Sequence, residues 1–256
     1  MNEIETTDDP YEEEGPRGAA AIFGPTINAI LAPQAAFDAL LARPVLAVWP
    51  FVWVTLSAVA LGVLNTDVMR QIFRISMIEG MQRGGQELDP EQLRPMLEGI
   101  DKYVWIFAPA QNLFLLLFVV VVAVFFWIAA SLAGGSTRFS RAFGVAAIGS
   151  VISPLLVLGF VTLMWQMDPP VFRRMSEFAA ATPTLSLSLF FANAETPIFM
   201  RTILGAVSVF NAWWIYVSAV GCRTLLEIKS AAAWGIPVAI WLFTTLIGAG
   251  LNSFNS

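Results

Sequence analysis

The chain has 256 residues, of which 57% are hydrophobic and 13% charged, and its mean hydropathy is +0.70. Soluble domains carry about 25% charged residues, so this composition excludes an ordinary soluble globular domain and predicts a membrane protein. The chain contains no histidine, which excludes Ser-His-Asp and Cys-His catalysis and His-based metal sites. No P-loop or Cys-x-x-Cys motif occurs. We therefore expect no enzymatic activity, no metal and no cofactor.

The net charge of −5 has its origin at the amino terminus, where seven of the nineteen acidic residues fall within the first fourteen positions. This segment has too little apolar surface to offset the entropy lost on ordering. We predict that residues 1–25 form a disordered, acidic cytoplasmic tail. The tail is either a docking segment or simply a solvated run of charge, and the second interpretation is favoured.

An amphipathic helix is predicted at residues 33–42, directly before the first apolar stretch. Pro33 suits the first turn of a helix, and Phe37, Leu40 and Leu41 follow at helical spacing. A helix with one apolar and one polar side favours the headgroup region of a membrane. We therefore predict an interfacial helix, which acts either as a passive anchor or as a membrane-bending or partner-recruiting element; the anchor is favoured.

Five stretches are apolar and long enough to cross a hydrocarbon layer of about 30 Å. A charged side chain at the centre of that layer costs about 2.5 to 3.5 kcal/mol, and these stretches contain none. The predicted fold is therefore all-α, a polytopic membrane bundle of five transmembrane helices with the interfacial helix before it. The spans are predicted at about residues 45–65, 105–133, 143–165, 202–221 and 231–250.

Two segments between the spans are predicted to be helical without crossing. Residues 67–101 contain two apolar stripes at helical spacing, and Asp89 followed by Pro90 has the pattern of a helix start. We expect an extracytoplasmic helical hairpin there. Residues 178–194 have a short apolar core interrupted by Pro183. A surface or re-entrant helix is favoured over a sixth crossing, which would break the span count.

The orientation follows from basic residues in the two shortest loops. One loop holds Arg138 and Arg141, and the other holds Arg223 and Lys229. Basic residues in short loops mark the cytoplasmic side of a membrane. With five spans, this makes the amino terminus cytoplasmic and the carboxyl terminus external. The scarcity of lysine fits a bacterial source, and thus an inner-membrane location in the cell.

A few uncharged polar side chains fall inside the predicted spans. They form either a polar intramembrane site or ordinary interhelical hydrogen bonds worth about 0.6 kcal/mol each, and the second interpretation is favoured. Asn211 is the best candidate for a site because it lies near the middle of a span. No Asp, Glu, Lys, Arg or His lies within a span, which argues against a proton-driven pump. The candidate residues are Asn211, Gln111, Asn112 and Ser153.

Three blocks of sequence, in order, resemble the Yip family of membrane proteins. They are ILAPQAAFDALLARPVLAVWPFVW at residues 30–53, LAGGSTRFSRAFGVAAIGSVISPLL at 132–156, and FNAWWIYVSAVGCRTLLEIKSAAAW at 210–234. The resemblance covers roughly residues 28–250. It implies a Yip-type membrane domain at 26–250 with five spans and a cytoplasmic amino terminus. In eukaryotes such proteins are linked to vesicle traffic, Golgi organisation and membrane shaping.

The family resemblance also bears on partners. Eukaryotic members carry a cytosolic motif of Asp, Leu, Tyr, Gly, Pro and Trp, and here only IFGPT at residues 22–26 is similar to it. We therefore expect a bacterial-type member without GTPase binding. The expected partners are the lipid bilayer and other membrane proteins or a second copy, with no nucleic acid. Two functions remain open: a membrane-organising or scaffold protein, or a carrier or accessory subunit in transport of an uncharged or lipophilic solute.

Overall fold

The structure, a computed structural model, describes residues 19–83, 89–152, 159–173, 185–192 and 196–254. All regular secondary structure in these ranges is helical. The one β contact among these residues is an isolated bridge between Ser186 and Ser208. The all-α prediction is thus confirmed for the described residues. Most of the predicted acidic tail, the candidate Ser153 and much of the predicted re-entrant segment 178–194 lie outside them.

The helices follow one another with short connections. In chain order they are α1 (Ala19–Leu31), α2 (Pro33–Ala42), a 3-10 helix (Pro44–Ala47), α3 (Val48–Leu64), α4 (Thr66–Arg83), α5 (Pro90–Leu132), α6 (Phe139–Ile152), α7 (Gly159–Met167), α8 (Ser188–Phe191), α9 (Ile198–Ala206), α10 (Val209–Thr224) and α11 (Ser230–Phe254). Helix α1 begins at Ala19, so the end of the segment predicted to be disordered is helical. Its Phe23 ring stacks on Trp53 with the ring centroids 4.8 Å apart, a contact that favours the ordered helix.

Helix α5 joins two elements that hydropathy analysis separates. It has 43 residues, and at 1.5 Å per residue it is about 65 Å long, roughly twice the thickness of a hydrocarbon layer. Its start matches the predicted signal, because the Asp89 side chain accepts a 3.0 Å hydrogen bond from the Glu91 amide and Pro90 opens the first turn. The second arm of the predicted hairpin and the second predicted span are therefore one continuous helix.

The core lies where α3, α5, α6 and α10 pack together. Its largest fully buried side chains include Phe126 of α5, Ile148 of α6 and Val217 of α10. Further along the bundle, α4 and α7 form a second cluster in which Trp165 packs near Phe172. At that end, a buried hydrogen bond of 2.6 Å runs from the Asn65 amide to the Thr162 hydroxyl and links the end of α3 to α7.

Two helical segments of the described chain are long and apolar enough to cross a membrane, Pro44–Leu64 and Ala231–Leu251. They coincide with the first and fifth predicted spans. The fourth predicted span is not one helix, because the chain breaks between α9 and α10 at Val207 and Ser208. Shorter apolar helices occur at Ile22–Leu31, Leu116–Leu132 and Phe139–Val151.

Candidate functional site

Helix α2 lies against one end of the bundle with its apolar side turned inward. Phe37 is fully buried and Leu40 is 2% exposed, and Pro33 is buried beside them. Leu41 faces outward and is 45% exposed. The apolar side of α2 therefore mostly meets protein. An apolar stripe predicts burial, but it does not say whether lipid or another helix covers it, and the interfacial location of α2 stays a prediction.

Two glycines make the close approach of α2 possible. A Cβ atom on Gly221 of α10 would lie 2.6 Å from Cζ and 2.8 Å from Cε1 of Phe37. A Cβ on Gly144 of α6 would lie 3.0 Å from Cδ2 of Leu40 and equally close to Cδ1 of Leu225. Small residues at helix contacts let the backbones approach and pack. We call this contact of Phe37, Leu40, Gly144 and Gly221 the α2 junction.

The loops beside the α2 junction are held together by polar contacts. The backbone N–H of Ser136 donates a 2.8 Å hydrogen bond to the carbonyl of Leu226, and a side chain on Gly135 would overlap the same carbonyl. Arg141 forms an ion pair with Glu227 and donates a 3.2 Å hydrogen bond to the carbonyl of Leu225. These contacts place the two short basic loops at the same end of the bundle.

The outer side of α2 carries polar groups and exposed apolar side chains. The Gln34 amide donates a 2.9 Å hydrogen bond to Asp38 and a 3.1 Å hydrogen bond to the hydroxyl of Thr224 in α10. Near the two ends of α2, Leu31 is 76% exposed and Val45 is 72% exposed. Together with Leu41 they leave an apolar fringe around a helix whose main apolar side is already covered.

Asn211 lies at the break between α9 and α10. Its side-chain amide donates a 2.7 Å hydrogen bond to the carbonyl of Ala206, and its backbone N–H donates to the hydroxyl of Ser208 at 3.1 Å. Ser208 is thus the N-cap of α10. The break is also paired with a neighbouring segment, since the N–H of Leu187 donates to the carbonyl of Val207 at 3.0 Å. The polar atoms of Asn211 therefore satisfy backbone groups that the broken helix would leave unpaired.

Of the predicted polar set, the described side chains include Asn211 alone, so the set stays a prediction. Gln111 and Asn112 fall within α5, with side chains outside the described part, and Ser153 lies outside it as well. The buried pair of Asn65 and Thr162 was not predicted. Each lies within or at the end of an apolar stretch, and nothing in the sequence pairs residues so far apart.

Long apolar helices with many exposed apolar side chains are typical of a helical membrane protein. A family comparison then identifies which one: the Yip1 domain matches residues 27–251, nearly the whole chain. The chain belongs to the Yip family, and the resemblance seen in the three sequence blocks is confirmed. Neither the curated proteins nor the solved structures contain a match.

The three sequence blocks meet at the α2 junction. The first block supplies Phe37 and Leu40, the second supplies Gly144, and the third supplies Gly221. The second and third blocks meet again where a Cβ on Gly149 would lie 3.2 Å from the Ser218 hydroxyl. The residues that carry the family resemblance are thus residues that hold the helices together.

Proposed function

We propose that this protein is a non-enzymatic membrane-organising or scaffold protein of the bacterial inner membrane. It crosses the membrane five times, with a cytoplasmic amino terminus and an external carboxyl terminus, and its membrane domain covers residues 26–250. The observation that carries the proposal is the α2 junction. Its residues pack α2 firmly against one end of the bundle. A rigidly held surface helix suits the binding of other membrane proteins or the shaping of a lipid surface.

The pattern of exposed apolar side chains supports the five spans. Soluble proteins rarely expose apolar patches of more than a few hundred Å², because water penalises them. Here α3, α5 and α11 each expose several large apolar side chains, as expected of helices in contact with lipid. In this arrangement α6 and α7 together form the third span, and α9 and α10 form the fourth. The exposed residues include Leu56, Val63, Leu117, Phe118, Val121, Ile128, Leu242, Phe243, Leu246 and Ile247.

The remaining segments follow from that arrangement. The hairpin formed by α4 and the first part of α5 is external, and the segment at 178–194 does not cross. Residues 22–26, which are similar to the eukaryotic cytosolic motif, lie within α1, where Phe23 stacks on Trp53. Because this segment packs against α3, it supports the proposal that the protein does not bind GTPases.

The scaffold proposal is tested at the outer side of α2. The full-length protein carrying Leu41→Glu is extracted in mild detergent, and the membrane proteins that co-purify are compared with those of the unaltered protein. Leu41 is exposed, so the fold should persist while partners are lost. Val171→Glu is the matched control, because Val171 is 81% exposed and lies after α7 at the opposite end. Equal loss in both variants, or no loss in Leu41→Glu, contradicts the proposal.

A transport role is the second candidate, as a carrier of an uncharged or lipophilic solute or as an accessory subunit. The break between α9 and α10 favours it, because broken helices form substrate sites in many transporters. Against it, the polar side chain of Asn211 is already bonded to the carbonyl of Ala206. Solute flux into reconstituted vesicles that is lost in Asn211→Leu, with the fold retained, would support transport and contradict a pure scaffold.

A further inference from the structure

An apolar groove lies between α4 and the first part of α5, and it shares no residue with the α2 junction. Its volume is about 420 Å³, within the usual range of small-molecule sites of about 300 to 1,000 Å³. Among the described residues, no charged side chain lines it. The residues that line it include Phe73 and Met77 of α4 and Met96, Ile100, Tyr103 and Phe107 of α5.

The groove is the uncovered side of α4. The opposite side of this helix is covered, because Val68 and Ile72 pack with Trp165 and Phe172. On the groove side, α4 and α5 are joined by Asp101, which pairs with Arg70 at 3.6 Å and also with Arg74. Next to these ion pairs there is open space between α4 and α5, because a Cβ on Gly99 would meet no atom within 4 Å.

A positive charge stands at the rim of the groove. The Lys102 ammonium lies 5.2 Å from the centre of the Tyr103 ring, which is part of the lining. The neighbouring arginines are matched by acids, Arg74 by Asp101 and Arg94 by Glu98. Within the described ranges no carboxylate pairs with Lys102.

The groove continues into the lipid-facing surface of α5. Phe107 lines the groove and is also 57% exposed, and its neighbours Trp105 and Ile106 are exposed as well. Tryptophan and tyrosine side chains favour the membrane–water boundary, so this part of α5 lies where the helix enters the bilayer. An apolar chain from the bilayer can therefore reach the groove without crossing water.

We propose that the groove binds the acyl chain of an anionic phospholipid whose phosphate lies against Lys102. The apolar lining suits a hydrocarbon chain, and the unmatched ammonium suits one negative headgroup. A peptide is a poorer occupant, because its backbone N–H and C=O groups would find no partners on an apolar lining. The methionines can adjust to chains of different length and saturation.

The test uses the full-length protein in non-ionic detergent and a phosphatidylglycerol with a diazirine in its acyl chain. After illumination, mass spectrometry locates the attached lipid. Peptides from α4 and the first part of α5 should be labelled more heavily than those of α11, which exposes its apolar side chains to any lipid. Gly99→Phe should remove most of this excess, because the added ring fills the open space between α4 and α5. Gly205→Phe is its control, since Gly205 also has open space around its Cβ position.

The charge is tested separately with the two lysines of the chain. Lys102→Gln should weaken the apparent binding of phosphatidylglycerol about fivefold, the effect of one basic residue near an anionic lipid. Lys229→Gln, at the opposite end of the bundle, should have no effect. Lys102 is exposed, so the fold does not depend on it.

Three results would overturn the proposal. The first is labelling of the groove no heavier than that of α11, or labelling that persists in Gly99→Phe. The second is equal binding of phosphatidylglycerol and a zwitterionic phosphatidylcholine probe. The third is a groove filled by a second copy of the chain, detected as a dimer whose formation excludes the lipid probe.

Discussion

The ring of Phe37 occupies the space that a side chain on Gly221 would need, with Cζ only 2.6 Å from the Cβ position. Phe37 is fully buried, and protein interiors are close-packed, so a displaced ring would strain its neighbours. Val145 closes the other side of the same position at 3.0 Å. The contact joins the first and third sequence blocks of the family and fixes α2 against α10.

Gly221→Ala should therefore destabilise the protein by about 1 to 3 kcal/mol, the usual cost of adding a methyl group to a filled core. The midpoint of unfolding in an SDS titration measures the effect. Gly248→Ala in α11 is the control, because its Cβ would meet no atom within 4 Å. A midpoint for Gly221→Ala equal to that of the control would contradict the packing described for α2.

The same contact predicts coupling between the two positions. Phe37→Leu shortens the side chain that the new methyl group would meet, so it should recover part of the stability lost in Gly221→Ala. Contacting residues show interaction energies of about 0.5 to 3 kcal/mol in double-mutant cycles. If the two losses simply add, Phe37 and Gly221 do not touch in the folded protein.

Cys222 offers an internal reporter of the α2 junction. It is the only cysteine in the chain, and its side chain is fully buried. A water-soluble maleimide should therefore react slowly with the folded protein and quickly after unfolding in SDS, since a thiol reacts only where it can ionise and be reached. Gly221→Ala should speed the reaction in detergent. Rapid labelling of the unaltered protein would mean that the junction is open.

Alanine substitutions at Gly134 and Gly135 should lower the stability of the protein by different amounts. Gly135→Ala would force the Leu226 carbonyl away and should break its hydrogen bond with Ser136. Gly134 has φ of +72° but open space around it, so Gly134→Ala should cost only the backbone strain, about 1 kcal/mol. The comparison of SDS unfolding midpoints should therefore rank Gly135→Ala as the less stable. The reverse ranking would contradict the loop contact.

The break between α9 and α10 should respond to the chemistry of residue 211. Asn211→Asp replaces the amide donor by a carboxylate, which accepts but cannot donate to the carbonyl of Ala206. It should be less stable than Asn211→Leu, which removes the hydrogen bond without adding a charge. Ser208→Ala should cost about 0.5 to 2 kcal/mol as a lost helix cap. Equal stability of the Asp and Leu variants would show that the Asn211 side chain does not donate to the carbonyl of Ala206 in the folded protein.

Local signals in the sequence were sufficient for several elements. Pro33 and the Asp89–Pro90 pair mark the starts of α2 and α5, and apolar length marks the two long apolar helices that coincide with the first and fifth predicted spans. The break at Ser208 was missed because it contains neither Gly nor Pro and lies within an apolar run. Hydropathy is averaged over such a run, so it predicts one continuous helix.

The α2 junction could not be predicted from the sequence for a different reason. Periodicity shows that α2 has an apolar side, but the partner of that side depends on contacts between distant parts of the chain. Gly221 looks like any glycine of an apolar helix, and only the fold brings Phe37 against it. The sequence therefore predicted an interfacial helix without naming the helices that cover its apolar side.

Helix α2 is a fixed part of the bundle, and only its outer side meets its surroundings. The most direct measurement is carbene footprinting of the unaltered protein in lipid vesicles with a lipid-soluble aryl diazirine. We expect labelling of Leu31, Leu41 and Val45, and protection of Phe37 and Leu40 until SDS unfolds the protein. Labelling of Phe37 and Leu40 as heavy as that of Leu41 would contradict it.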